Sequence, residues 1–315
     1  MVTIPPSNSA QASRIKDLTG LAPEAFDDLL THLSRFKNPR QSLRALLHHY
    51  KTGLAMKNVA LLFGINDKTF SRQAKKMRQQ LYDNFVPLNL GFEHLDNRDL
   101  TSSHNTLMAD RFFLSDEQRA RRAKITIWDG TYIRMQKSMN VAVQKMTFSG
   151  QKKTNLFKPM VCCFPDGYIY EVFTYHGGSV NDATIMRGVM NQNPSFNQVF
   201  KPGDMFIFDR GFRDVVAEMQ RKGFHVHTPA SSVAGEKPSW EKANRTRLVT
   251  KVRCVIEAIN ERIKNWKLLH HVLQNTVIGS KNQDLKIICA LINKYGKRLV
   301  SDVDHQEMIA NRILE

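Results

Sequence analysis

No stretch of about 18 consecutive apolar residues interrupts this 315-residue chain, so a membrane-spanning helix is not expected. The opening residues, Met1 to Ser7, lack the charged-then-apolar layout of a secretory signal, and an intracellular location is expected. Cysteine is scarce: Cys162, Cys163, Cys254 and Cys289 show no Cys-x-x-Cys spacing. Neither a zinc ribbon nor a disulfide framework is indicated, and all four read as reduced core residues. Acidic residues are also few, with 29 Asp and Glu against 46 Lys and Arg and a formal charge of +17. Such an excess favours a polyanionic partner, because each lysine or arginine placed on a phosphate releases condensed counterions. Nucleic acid leads, and no membrane partner is expected. Internal repeats and low-complexity tracts are missing too.

At this length the chain can bury a main core and a smaller second one. Residues 1–20 are largely polar and read as a disordered tail. Residues 21–90 read as a helical domain. Phe26, Leu29, Leu30 and Leu33 have helical spacing; Pro39 can open a second helix that stops at Gly53; a third runs over 56–63 and stops at Gly64. Asn66 or Asp67 can cap a fourth, reaching about Tyr82. The helix, glycine turn and helix between Thr52 and Gln73 match a helix-turn-helix unit, whose second helix can enter a major groove. Lys68, Thr69, Ser71, Arg72, Gln73 and Lys75 would then face phosphates or base edges. An ordinary helical hairpin with a solvated polar face explains the same pattern.

Residues 91–123 read as a polar connector ending in a short charged helix over 116–122. From Lys124 the period becomes that of strands: 125–135, 156–164 and 168–175, with a hairpin turn at Pro165-Asp166-Gly167. A helix over 181–190, a strand over 205–208, a helix over 212–222 and a strand over 224–227 follow. Helices over 248–266 and 285–299 come last, the final one expected to pack on the core, before a tail over 301–315. This order predicts an α/β fold with a mixed sheet covered by helices over 124–300.

Three carboxylates occupy apolar surroundings: Asp129 in Ile-Thr-Ile-Trp-Asp-Gly-Thr, Asp209 in Met-Phe-Ile-Phe-Asp-Arg-Gly-Phe, and Glu257 beside the stripe Val252, Val255, Ile256, Ile259 and Ile263. Buried acids are rare unless something pairs with them, and a divalent cation is one such partner. The ends of adjacent strands are where open α/β sheets build sites, and the helix stripe is expected to turn Glu257 towards the sheet. Each acid also has a plain structural reading: turn amides for Asp129, helix capping for Asp209, and pairing with Arg253, Arg262 or Lys264 for Glu257. Arg210 and Arg213 could clamp a phosphate or simply pair with Asp209. Lys242, Arg245, Arg247, Lys251 and Arg253 form a basic run leading to Glu257. Core or edge packing is expected for Trp240 and Trp266, with base stacking as the alternative.

The segments Trp128-Asp-Gly-Thr-Tyr-Ile133, Lys158-Pro-Met160, Asp166-Gly-Tyr-Ile169, Asn181-Asp-Ala-Thr-Ile185, Phe206-Ile-Phe-Asp-Arg-Gly-Phe-Arg213, 243–253, 256–260 and 262–264 occur in an ordered series. In them the chain resembles the Harbinger-type (PIF/Harbinger) DDE transposase family, including its transposase-derived nucleases. The resemblance implies an RNase H-like core behind a helix-turn-helix domain, a nuclear location, and Asp129, Asp209 and Glu257 as the metal-binding triad. Asp182 matches a further acidic position, as metal ligand or as a helix-capping residue. Implied cofactors are Mg2+ or Mn2+, with two ions roughly 4 Å apart activating a water or 3′-hydroxyl. Implied partners are DNA, as element ends and target, a second copy of the chain, and an accessory DNA-binding protein. The alternative is a domesticated, catalytically inactive DNA-binding adaptor. Residues 140–153 match less, and no contacts are carried over there.

Overall fold

The computed structural model describes residues 9–95, 97–174, 176–229, 239–274 and 278–299. In chain order the helices are α1 (Ser9–Thr19), α2 (Pro23–Thr31), α3 (Pro39–Thr52), α4 (Met56–Leu62), α5 (Asp67–Asn84), α6 (Val86–Asn89), α7 (Arg98–Ser102), α8 (Leu107–Phe113), α9 (Asp116–Ala120), α10 (Val141–Thr147), α11 (Asp182–Gln192), α12 (Pro194–Val199), α13 (Arg213–Arg221), α14 (Trp240–Asn265), α15 (Lys267–His270) and α16 (Ile278–Tyr295). The strands are β1 (Ile125–Gly130), β2 (Ile133–Arg134), β3 (Phe148–Ser149), β4 (Thr154–Phe157), β5 (Met160–Cys163), β6 (Ile169–Phe173), β7 (Met205–Ile207) and β8 (His225–His227). Two compact units result: one from Met1–Leu90, Ile133–Met139 and Glu261–Gly296, the other from Gly91–Tyr132, Asn140–Asn260 and Lys297–Glu315. Among the described residues no helix is long and apolar enough to cross a membrane.

In the helical unit, Phe26, Leu29, Leu43, Leu46, Leu47, Tyr50, Phe70, Met77 and Leu81 are fully buried. α3 stops where Gly53 adopts φ 69°, a left-handed cap that costs glycine little. Asn66 starts α5 by accepting a hydrogen bond from the Thr69 N–H, so the capping alternative resolves to Asn66. Gly64, at φ 63°, turns the chain between α4 and α5. Two expectations fail here. Residues 9–19 are helical rather than disordered, because Ile15, Thr19 and the following Leu21 find buried positions as α1 packs on α3. The final helix, expected to pack on the core of the α/β region, packs on α5 and α6. Its buried Asp284 accepts from Tyr50 Oη at 2.6 Å and Arg78 Nε at 2.7 Å, and such a charge stays buried only beside these donors.

The other unit is α/β. Its five-stranded sheet has the order β6-β5-β1-β7-β8, with β1 antiparallel to β5 and parallel to β7. β5–β6 is antiparallel and β7–β8 parallel, a mixed arrangement compatible with an RNase H-like core. One face is an aromatic core in which Trp128 stacks on Phe173 (centroids 5.9 Å apart) and Phe206 (6.1 Å). Gly167, at φ 86°, closes the β5–β6 hairpin, and Asp166 Oδ1 accepts the Tyr168 N–H. The strand expected over 156–164 is split: Pro159 has no N–H to donate to a ladder, so β4 ends before Lys158 and β5 begins after the proline. β1 likewise ends at Gly130, where the Thr131 N–H turns to Pro159 O. The connector over 91–123 holds α7, α8 and α9, each capped by a side chain, Asn97, Thr106 or Ser115. Three cysteines are buried as expected, but Cys254 is exposed, on the outer face of α14.

Candidate active site

The parallel pairing of β1 with β7 aligns Ile125 with Met205 and Ile127 with Ile207. Continued two residues, that register sets Asp129 and Asp209 abreast at the C-terminal ends of neighbouring strands. Alternation does the rest: Trp128 and Phe208 turn into the aromatic core, leaving the two aspartates on the other face. Asp209 caps the turn that follows, accepting the Gly211 N–H at 2.7 Å. Its structural role is therefore real, and it leaves the second carboxylate oxygen free of that bond.

Asp182 joins them from the first turn of α11. The capping role falls to its neighbour Asn181, which accepts the Thr184 N–H at 2.7 Å. The Asp182 carboxylate instead lies between two glycines. A Cβ on Gly130 would fall 2.8 Å from its Oδ1, and one on Gly211 would fall 2.7 Å from its Oδ2 and 3.0 Å from Asp209 Oδ1. Only residues without a side chain allow this approach. Buried Lys158 reaches Asp182 Oδ1 at 2.7 Å as an ion pair, without hydrogen-bond geometry. From α14, Asn260 Nδ2 donates to Asp129 Oδ2 at 3.0 Å.

The electrostatics record the crowding. Burial, then the negative charge of Asp209, push the Asp129 carboxyl up to about 6; Asp182 adds to the rise and Arg253 opposes it. Burial also raises Tyr132, and Asp182, Asp129 and Asp209 contribute, which puts its phenol in the field of all three acids. Thr131 Oγ1, Arg253 Nε and Asn260 Oδ1 are buried without a hydrogen-bond partner. Unpaired buried polar atoms are costly and cluster where a ligand completes the set.

Glu257 departs from expectation, because its side chain is exposed rather than turned to the sheet. Val249, Val252, Ile256, Ile259 and Ile263 form the buried stripe of α14, and Glu257 sits about 100° round from Ile256. It lies on the flank shared by Arg253 and Asn260, one turn from the residue that touches Asp129. Among the described residues no group of three or more His, Cys, Asp or Glu side chains has metal-holding geometry. Asp129, Asp182 and Asp209 are brought together; Glu257 is exposed, one turn of α14 from Asn260.

Of the other expected contacts, Lys68, Ser71, Arg72 and Lys75 are exposed on α5, while Thr69 and Gln73 are half-buried, the latter accepting from Ser42 Oγ at 2.8 Å. Arg210 and Lys251 are exposed, and Arg213 is paired with Asp214 at 3.3 Å, not with Asp209. The side chains of Lys242 and Arg245 lie outside the described residues. Trp240, expected to pack, is 76% exposed. Sequence reasoning assigned no role to Lys158, Tyr132 or Asn260. Their signal was present as a lysine before a proline, and as residues three positions after Asp129 and Glu257.

A family model described as a DDE superfamily endonuclease matches residues 128–293, more than half of the chain. The chain belongs to that superfamily. The matched span opens one residue before Asp129 and takes in Asp182, Asp209, Glu257 and Asn260. No curated protein and no solved structure matches the chain. DDE superfamily members generally use divalent metals. Asp129, Asp182 and Asp209 carry hard carboxylate oxygens, the ligand type Mg2+ takes, but as placed in the structure they do not form a set with metal-holding geometry.

Proposed function

We propose that this DDE endonuclease is a Harbinger-type transposase or transposase-derived nuclease that binds DNA and cuts its phosphodiester bonds at Asp129, Asp182 and Asp209. The observation that carries the reading is the convergence of Asp182, between two glycines, on two aspartates aligned by the β1–β7 register. Asp129, Asp182 and Asp209 would hold the divalent cation, Mg2+ or Mn2+ and two ions in the full reading, which would supply Lewis acidity at the phosphate and lower the pKa of the attacking water or 3′-hydroxyl. Asn260 holds the Asp129 carboxylate in one orientation through its Nδ2 donor. Lys158 anchors Asp182 between the strand ends. Glu257 supplies a fourth carboxylate from the α14 flank, and exposed Arg210, next to Asp209, can meet the scissile phosphate. α4, the Gly64 turn and α5 act as the helix-turn-helix, with Lys68, Ser71, Arg72 and Lys75 on its outer face.

The test is nicking of supercoiled plasmid by the purified full chain with Mg2+ or Mn2+. Nicking that disappears in EDTA and in Asp209→Asn, with DNA binding retained, is the expected result. A second reading, a DNA-binding adaptor without catalysis, is favoured by the exposure of Glu257 and by the lysine already paired with Asp182. It prevails if the wild type binds DNA with normal affinity but never nicks it under any metal.

A further inference from the structure

Between Asp129 and Asp166 the chain contains no Asp or Glu, while it carries Arg134, Lys137, Lys145, Lys152, Lys153 and Lys158. Part of this stretch is an arm. β3 pairs with β4 in the register Phe148 to Asn155 and Ser149 to Thr154, leaving a four-residue tip of Gly150, Gln151, Lys152 and Lys153, all exposed. The arm has a firm root. Asn155 is buried and donates to Gln144 O at 3.0 Å and Thr147 Oγ1 at 2.9 Å, tying β4 to α10, while Ser179 Oγ donates to Met146 O at 2.8 Å.

At the tip, Lys153 has φ 50°, a left-handed conformation that glycine would adopt without strain. A lysine there holds a cation at a position whose backbone would favour glycine. Lys152 Nζ stands 5.1 Å from the Tyr132 ring centroid, and Lys158 Nζ, which grips Asp182, stands 5.7 Å from the same ring. One aromatic ring thus separates the cationic tip from the carboxylate cluster.

We propose that the β3–β4 arm is a second DNA contact, in which Lys152 and Lys153 seat backbone phosphates of the strand that passes over Tyr132 to the aspartates. The proposal rests on the endonuclease reading for the direction of that strand, but not for the contact itself. Its physical basis is charge placement: a cluster of like-charged acids repels a phosphate backbone, and Lys152 one ring away, with Lys153 next to it in the chain, offsets that repulsion before any cut. Phe148, 44% exposed on the same arm, offers an apolar surface to a sugar or base.

The test measures binding of full-length protein to a non-specific DNA duplex in EDTA, over a salt series. Lys152→Glu with Lys153→Glu is expected to weaken binding at least tenfold and to reduce the slope of log affinity against log salt by roughly 1 to 2, one phosphate contact being worth about 0.9. Lys222→Glu, an exposed lysine of the same unit, should leave both unchanged. Unaltered affinity and slope in the double variant overturn the proposal, as do equal losses in the Lys222 control or a wild type that binds no DNA. A loss confined to duplex RNA overturns the assignment to DNA. Because no cleavage is needed, a protein that never cuts yet depends on the arm for binding defeats the endonuclease reading alone.

Discussion

The helical unit takes one aspartate fully out of water and the α/β unit half-buries three, on opposite plans. In the helical unit, Asp284 is fully buried and fully answered by Tyr50 and Arg78. Burial works to lower the Arg78 pKa, but Asp284 and Tyr50 together more than offset it and the guanidinium is held charged; burial and Asp284 both drive the Tyr50 phenol up. In the α/β unit three aspartates meet, with Lys158 and Asn260 as their main protein partners, and Asp129 is pushed towards protonation. A neutralised cluster stabilises its fold. A crowded one costs stability, which is tolerable where a ligand removes the cost, and perturbed acids of this kind mark functional sites.

The largest expected effect separates the two plans by activity. Asp209→Asn should lower plasmid nicking on the order of 10³-fold, comparable to loss of a main transition-state contact, while differential scanning calorimetry finds stability equal or improved. Next comes the opposite profile: Asp284→Ala leaves Arg78 buried without its counter-ion and should cost roughly 3–5 kcal/mol in chemical denaturation. A destabilised Asp209→Asn, or an unaffected Asp284→Ala, would break the comparison.

A pH series sharpens it further. The Asp129 carboxyl has a folded pKa of about 6, above its value of 3.8 when unfolded. The protonated form therefore favours the fold: its contribution is complete below about pH 4 and lost as pH rises through 6. The size is about 3 kcal/mol, since one pKa unit corresponds to about 1.4 kcal/mol. Asp129→Asn should abolish that fall, so wild type and variant, compared by thermal melting at pH 4 and 7.5, should diverge only at the higher pH in favour of the variant. Equal slopes would contradict it. The smallest stability effect belongs to Glu257→Gln. An exposed change on α14 should shift stability by less than about 0.5 kcal/mol, yet reduce nicking at least tenfold if the flank carboxylate serves the site.

Much of this was legible beforehand, for definable reasons. Short apolar runs bounded by turn residues gave β1, β7 and the β5–β6 hairpin, and glycine and asparagine punctuation gave α3, α4 and α5. Asp129 and Asp209 stood out because each ends an apolar strand. What failed depended on tertiary pairing. α1 needed a partner, α3, that its polar sequence does not announce, and α16 buries its apolar residues together with Asp284 against α5 and α6, partners that periodicity alone does not name. The exposure of Glu257 turned on an offset of about 100° from the stripe, which a list of nearby apolar residues does not resolve. The roles of Lys158 and Asn260 needed the third dimension, since both reach acids distant in sequence.

The most direct test is Mn2+ binding to the full chain, followed by isothermal titration calorimetry at neutral pH. Saturable binding that weakens at least tenfold in both Asp129→Asn and Asp209→Asn is predicted. Identical binding by wild type and both variants, or none by any, would contradict a cation site at the crowded aspartates.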